Sequence, residues 1–196
     1  FWFGRGKFPR CPSDPSAHRC AKGRKCAKCP RCPGALGATG AQLADSMGVP
    51  PADIVSAVTF GDSTAMAIRP NVGILTPTDG VDMAVLGTGT IGASPEPGVD
   101  FGYYGEDGDE TRLTLTLQVP PKANSFVFDF FFLSAEYPEF VNSTYNDAFE
   151  ANVSGSAWQG NGAIDAFGNM ITVNSALFNV TASPDLQGTG FDNGVG

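Results

Sequence analysis

Five oxygen-bearing side chains, Glu136, Glu139, Asn142, Asn146 and Asp147, fall within twelve residues of one another. They follow directly on the most apolar run of the chain, which begins at Asn124 and passes through Phe126, Phe128, Phe130, Phe131, Phe132 and Leu133. A buried strand that breaks into such a cluster delivers hard oxygen donors to one edge of a sheet. Ca²⁺ prefers ligands of this kind, about six to eight oxygens at roughly 2.3–2.6 Å, and Pro138 stands where a bend would gather them. A second acid cluster, Asp107, Asp109 and Glu110, departs from the EF-hand pattern, in which an Asp-x-Asp-x-Asp-Gly run ends in a distant Glu. The competing reading of both clusters is a solvated loop whose side chains satisfy turn backbone.

Other chemistry is sparsely supplied. His18 is the only histidine and lies near the N-terminus, so the rest of the chain has no Ser-His-Asp or Cys-His set. A phosphate-cradling glycine loop ending in Lys-Ser/Thr is absent from the sequence. Carboxylate-only catalysis of the glycosidase kind would fall to Glu136 and Glu139, but the expectation is a protein that is not an enzyme. Tyr103, Tyr104, Tyr137, Tyr145 and Trp158 lie in or beside loops, where aromatic faces next to acidic oxygens suit sugars. That arrangement suggests a lectin-like module binding a cell-surface glycan as the alternative, against core packing as the ordinary fate of such residues. Asn142, Asn152 and Asn179 head glycosylation sequons, which matter only in a host that modifies them.

Charge divides the chain. Residues 1–40 hold nine basic side chains against Asp14, a net +8, whereas the remainder holds Arg69, Arg112 and Lys122 against 19 acids, a net −16. An acidic body argues against nucleic acid as a partner and is common in secreted proteins. The basic arm suits an anionic surface or the acidic body of a neighbouring copy. All five cysteines, Cys11, Cys20, Cys26, Cys29 and Cys32, fall in that arm. Two disulfides with one cysteine left for an intermolecular bridge would fit an oxidising compartment. A zinc site from Cys26, Cys29, Cys32 and either Cys20 or His18 has suitable ligand types but lacks two separated Cys-x-x-Cys pairs. A reduced or disordered arm is the third possibility.

The 25 glycines and 15 prolines interrupt short bursts of Val, Thr and Phe, which favours an all-β class with helix in the minority. Gly34–Gly40 reads as a linker, dividing an irregular arm (1–40) from a main domain (41–196). Residues 41–48 predict a two-turn helix stopped by Gly48. Strands are expected at 55–60, 65–68, 72–75, 83–86, 151–153, 170–173 and 176–180. Arg112–Val119 alternates strictly, with Leu113, Leu115, Leu117 and Val119 on one face. The turn at Pro120-Pro121 predicts that this strand pairs with the apolar run that follows. An uninterrupted apolar stretch long enough to span a membrane is absent from the sequence, and the first residues lack the order of a signal peptide. An exported protein would then be a processed product.

The stretch Phe130-Phe-Phe-Leu-Ser-Ala-Glu-Tyr-Pro-Glu-Phe-Val-Asn-Ser-Thr-Tyr-Asn-Asp-Ala-Phe149 closely resembles the signature of the bacterial choice-of-anchor L domain, in which a strand is followed by Ser-Glu-Glu-Tyr-Pro-Glu-Phe/Tyr-Val-Asn and Phe-Asn-Asp-x-Phe. Asn71-Val-Gly-Ile-Leu-Thr-Pro-Thr-Asp-Gly80, the Leu86-Gly-Thr-Gly turn and Asp165-Ala-Phe-Gly-Asn-Met-Ile-Thr-Val-Asn174 also look like it. The similarity covers roughly 54–196 and is specific at 131–149. It implies a non-catalytic, extracellular β-rich module of bacterial cell-surface or secreted proteins, here taken as a jelly-roll-like β-sandwich. Ala135 stands where the motif usually carries an acid, which would weaken a metal site. Members continue past Gly-Thr-Gly-Phe into further strands, so the sandwich is expected to lack its last strands. Another polypeptide, a second copy or the remainder of a longer one, would supply them by strand addition. The expected function is a structural or adhesive surface module that self-associates into a fibre or surface layer, with calcium as a stabiliser.

Overall fold

The computed structural model describes residues 2–3, 37–91, 110–138, 140–144, 146–175 and 183–191. The five cysteines, Asp107, Asp109, Glu139, Tyr103, Tyr104, Tyr145 and the expected strand 176–180 lie outside them.

The chain is β-rich and folds as several small antiparallel sheets. The largest has four strands in the order β3-β4-β1-β6, made from β1 (Trp2–Phe3), β3 (Met66–Arg69), β4 (Met83–Leu86) and β6 (Phe130–Phe131). A ribbon pairs β2 (Ile54–Phe60) with β5 (Arg112–Leu117), and a hairpin joins β8 (Asn152–Ser154) to β9 (Gln159–Asn161). A third pair sets β7 (Ala148–Phe149) beside β10 (Ile171–Thr172). No described helix is long and apolar enough to cross a membrane.

The only α-helix among the described residues, α1 (Gly40–Ser46), is fixed at both ends by local sequence. Thr39 and Gln42 form a reciprocal capping box, Gln42 N–H donating to Thr39 Oγ1 and Thr39 N–H to Gln42 Oε1. At the other end Gly48 takes a left-handed φ of 80°. Gly48 N–H then reaches Asp45 O and Val49 N–H reaches Ala44 O, the pairing that closes a helix on a glycine. The helix buries Leu43 with Met66, Ala84 and Leu86, and Ala38, Met47, Ile68 and Leu113 pack around them.

The alternation expected over 112–119 appears over 112–117, with Leu113, Leu115 and Leu117 turned inward and Arg112, Thr114 and Thr116 outward, whereas Val119, past the end of the strand, is 64% exposed. Its partner differs: β5 pairs with β2, Leu115 opposite Ala57 and Phe60 opposite Arg112. The Pro120–Ala123 turn does form, through Ala123 N–H to Pro120 O. Two separate cores then draw the flanking segments apart. Leu113 packs beneath α1, whereas Phe128, Phe130 and Phe132 pack on Phe149, Ala163 and Ile171. Only Phe130–Phe131 of the apolar run enters a ladder, and it does so beside β1.

The expected strand at 72–75 is instead a tight turn, in which Val72 and Leu75 exchange both backbone hydrogen bonds around Gly73. On the outer face of the ribbon the Arg112 guanidinium lies 5.0 Å from the centre of the Phe60 ring, and it pairs with Glu110 at 2.9 Å. Both partners of that ion pair are more than half exposed, so it contributes no more than about 1 kcal/mol.

Candidate functional site

β6 runs into Leu133 and Ser134, the chain bends through 135–146, and β7 returns it to the same core. Within the bend Phe140 N–H donates to Glu136 O and Ser143 N–H to Phe140 O. The Tyr137–Pro138 peptide is cis, and Asn142 adopts a φ of 65°, a left-handed conformation that asparagine tolerates better than most residues.

The side chains close the loop on itself. Ser134, 2% exposed, donates its hydroxyl to Asp147 Oδ2 at 2.8 Å and accepts from Glu136 N–H at 3.1 Å. Glu136 Oε2 in turn lies 3.4 Å from the N–H of Asp147. The bend is also tied to the segment after β10. Val173 N–H donates to Asp147 O, Asn174 N–H to Asn146 Oδ1, and Asn142 N–H to Asn174 Oδ1 at 2.6 Å.

Four of the five residues singled out here, Glu136, Asn142, Asn146 and Asp147, are therefore brought to one place. Glu136 Oε2 and Asn146 Oδ1 accept from backbone N–H groups, and Asp147 Oδ2 from the Ser134 hydroxyl. Glu139 lies outside the described residues. Of the second cluster only Glu110 is described, paired with Arg112. Among the described residues no three carboxylate, histidine or cysteine side chains converge as a metal set. Sequence reading missed Ser134 and Asn174, whose roles depend on partners 13 and 28 residues away. Ser134→Ala is expected to lower stability by about 1–3 kcal/mol, since it leaves a half-buried carboxylate and a backbone N–H without their shared hydroxyl. Denaturant unfolding measures the loss.

A second polar knot, also not foreseen from residue chemistry, closes the loop between Ile164 and Met170. Asp165 is buried; Oδ1 accepts from Phe167 N–H and Asn169 N–H, and Oδ2 from the Asn169 amide at 2.9 Å. The donated bonds, chiefly that of the Asn169 side chain, hold the Asp165 carboxyl below its ordinary value of 3.8. The hydroxyl and N–H of Thr64 do the same for Asp62. A carboxyl lowered on folding stabilises the folded state above its unfolded value, and the stabilisation is lost as pH falls through the lowered value. Stability should therefore decline as pH drops below about 4. Asn169→Ala should shallow that decline, as read from denaturant midpoints across an acid series.

Of the candidate aromatics, Tyr137 is half-buried in the bend. Trp158 is 52% exposed on the β8–β9 hairpin, with its indole close over Gly160, where a Cβ would sit 3.3 Å from the ring.

Searches against known protein families, characterised proteins and solved structures find no match to this chain.

Proposed function

We propose that this chain is a non-enzymatic, extracellular structural or adhesive module of a bacterial surface, related to the choice-of-anchor L domains and built as a jelly-roll-like β-sandwich that associates through strand addition. The observation that carries the reading is the use made of the most chemically endowed stretch. Ser134, Glu136 and Asp147 close a long bend between β6 and β7 on itself, and Asn142, Asn146 and Asp147 tie it to the segment after β10. A rigid bend between short strands suits a module whose task is to hold shape. The separation of a +8 arm from a −16 body supplies an attraction between copies. Negative-stain imaging of purified protein tests the assembly: filaments or ordered sheets are expected, and dispersed particles at every concentration count against it.

Calcium belongs to the proposal as an added stabiliser of the same bend, drawing on Glu136 and Asp147 with the amide oxygens of Asn142 and Asn146. Chelation is then expected to lower the melting temperature by several degrees, an amount corresponding to about 1 kcal/mol. An unchanged melting temperature removes calcium and leaves the hydrogen-bonded bend to act alone.

The exposed indole of Trp158 favours carbohydrate binding as a second reading, because a flat face held over a glycine is a ready platform for a sugar ring. A glycan array probed with the protein and with Trp158→Ala separates the two. Binding lost in the variant supports the lectin reading, and an array without signal removes it.

A further inference from the structure

We infer that Trp2–Phe3 is a donor strand exchangeable between copies of this chain, and that the slot between β4 and β6 is its acceptor. β1 lies inside the largest sheet and is paired on both sides, Trp2 opposite Val85 and Phe131, Phe3 opposite Ala84 and Phe130. It reaches that place from the far end of the sequence, since β4 and β6 belong to residues 83–86 and 130–131. Without it, β4 and β6 would each present an open strand edge at the cluster of Ala67, Met83, Val85 and Phe131. Open edges of this kind are templates for another strand. The slot therefore needs an occupant, while the occupant is two residues long and held by few backbone bonds. An element so short opens more readily than the four-residue β3–β4 pair beside it.

The second observation concerns what lies between. Residues 4–36, 33 in number, separate β1 from the next described residue, a contour of about 110 Å when extended. The segment before residue 41 carries +8 and the body −16, so the arm of one copy is attracted to the body of any other. Exchange of β1 keeps every contact of the closed form, which makes it a low-cost route to association. A linker of this length gives the chain's own segment an effective concentration of about 1 mM. Below that threshold β1 closes its own sheet. Above it, or with copies held side by side on a surface, a neighbour's Trp2–Phe3 takes the slot in the same register and links the copies. This deepens the assembly reading above and rests on it only for its setting. Measurements on the chain in solution can fail without touching the surface reading, and the surface reading can fail without touching them.

The test follows the mass of the full chain by light scattering as its concentration is raised through about 1 mM. Linked species are expected to grow in above the threshold, and a monomer throughout overturns the proposal. Phe3→Pro, which removes a backbone donor from an interior strand, should abolish association while leaving the arm's charge intact. Association that survives Phe3→Pro and disappears in high salt is arm charge alone, and overturns strand exchange. Should Phe3→Pro fail to fold, the hexapeptide Phe-Trp-Phe-Gly-Arg-Gly added in excess to the unaltered chain gives the same decision. It should suppress association where a scrambled peptide does not, and equal effects of the two peptides overturn the proposal.

Discussion

Phe149→Ala is expected to remove about 3–5 kcal/mol of folding stability, the usual cost of truncating a fully buried phenylalanine. The ring is 3% exposed and lies 4.4 Å from the Phe130 ring and 6.3 Å from that of Phe128, close to edge-on in the second case. Ala163 and Ile171 complete the cluster, with Phe132 and Ala151 at its margin. Phe149 also pairs across the ladder with Ile171, so the cavity would open where β7, β10 and the end of the apolar run meet. Phe126→Ala is the control, because that ring is 57% exposed and touches Phe128 at 5.7 Å without entering the core; its cost should stay within about 1 kcal/mol. Equilibrium denaturation of both variants decides the matter. A Phe149→Ala loss below that of Phe126→Ala would place the core elsewhere.

The same phenylalanines show what the sequence made legible. That the apolar run feeds a core could be read from composition for Phe128, Phe130 and Phe132, although Phe126 and Val127 stay exposed, and strict alternation placed Leu113, Leu115 and Leu117 on the inner face of a strand. The four buried residues of β4 and the capped helix with its closing Gly48 were equally local signals. Pairing was not legible. Proximity in sequence and an intervening Pro-Pro turn favoured a hairpin between β5 and the apolar run. The choice was made instead by which side chains could be buried together: the leucines under α1, the phenylalanines against β7 and β10. The bend at 134–147 divides in the same way. Its oxygen-rich composition marked it out, but whether those oxygens face a ligand or their own backbone depends on Asn174 and Val173, and no local spacing encodes that contact.

Long-range closure of this kind recurs where two glycine-bearing turns far apart in the sequence meet. The turn Val72–Leu75 and the segment that follows the Ser183–Leu186 3-10 turn are joined by Ile74 N–H donating to Gln187 O at 2.8 Å. Leu186 is buried at the junction and its carbonyl accepts from both the N–H and the hydroxyl of Thr189. Residues 186–189 thus have a fixed seat on the body. The seat is made of backbone packed against backbone, a feature that residue chemistry does not reveal.

Gly73→Ala is the sharpest probe of that seat. Gly73 has a left-handed φ of 54°, and a Cβ placed on it would run into the carbonyl oxygen of Gln187, the carbonyl carbon of Gly188 and the N–H nitrogen of Thr189. These are main-chain atoms, so no side chain can swing aside. Gly188 lies so close that its own Cβ would stand 3.1 Å from the Gly73 Cα. The left-handed conformation costs an alanine roughly 1–2 kcal/mol, and forcing atoms into a packed contact adds typically 1–3 kcal/mol. The sum, about 3 kcal/mol, should appear in one of two ways. Either the whole domain loses that stability, or the 183–191 segment detaches and the loss is confined to its amides in hydrogen exchange, with the midpoint for the rest nearly unchanged. Gly155→Ala is the companion variant: its Cβ would meet only the Trp158 carbonyl at 3.5 Å, an ordinary contact. There the substitution should be neutral or gain up to about 1 kcal/mol by restricting the unfolded chain. If both alanines behave alike, the backbone contact between 72–75 and 187–189 does not hold in solution. If they differ as expected, residues far apart in the sequence are one structural joint, closed by two glycines.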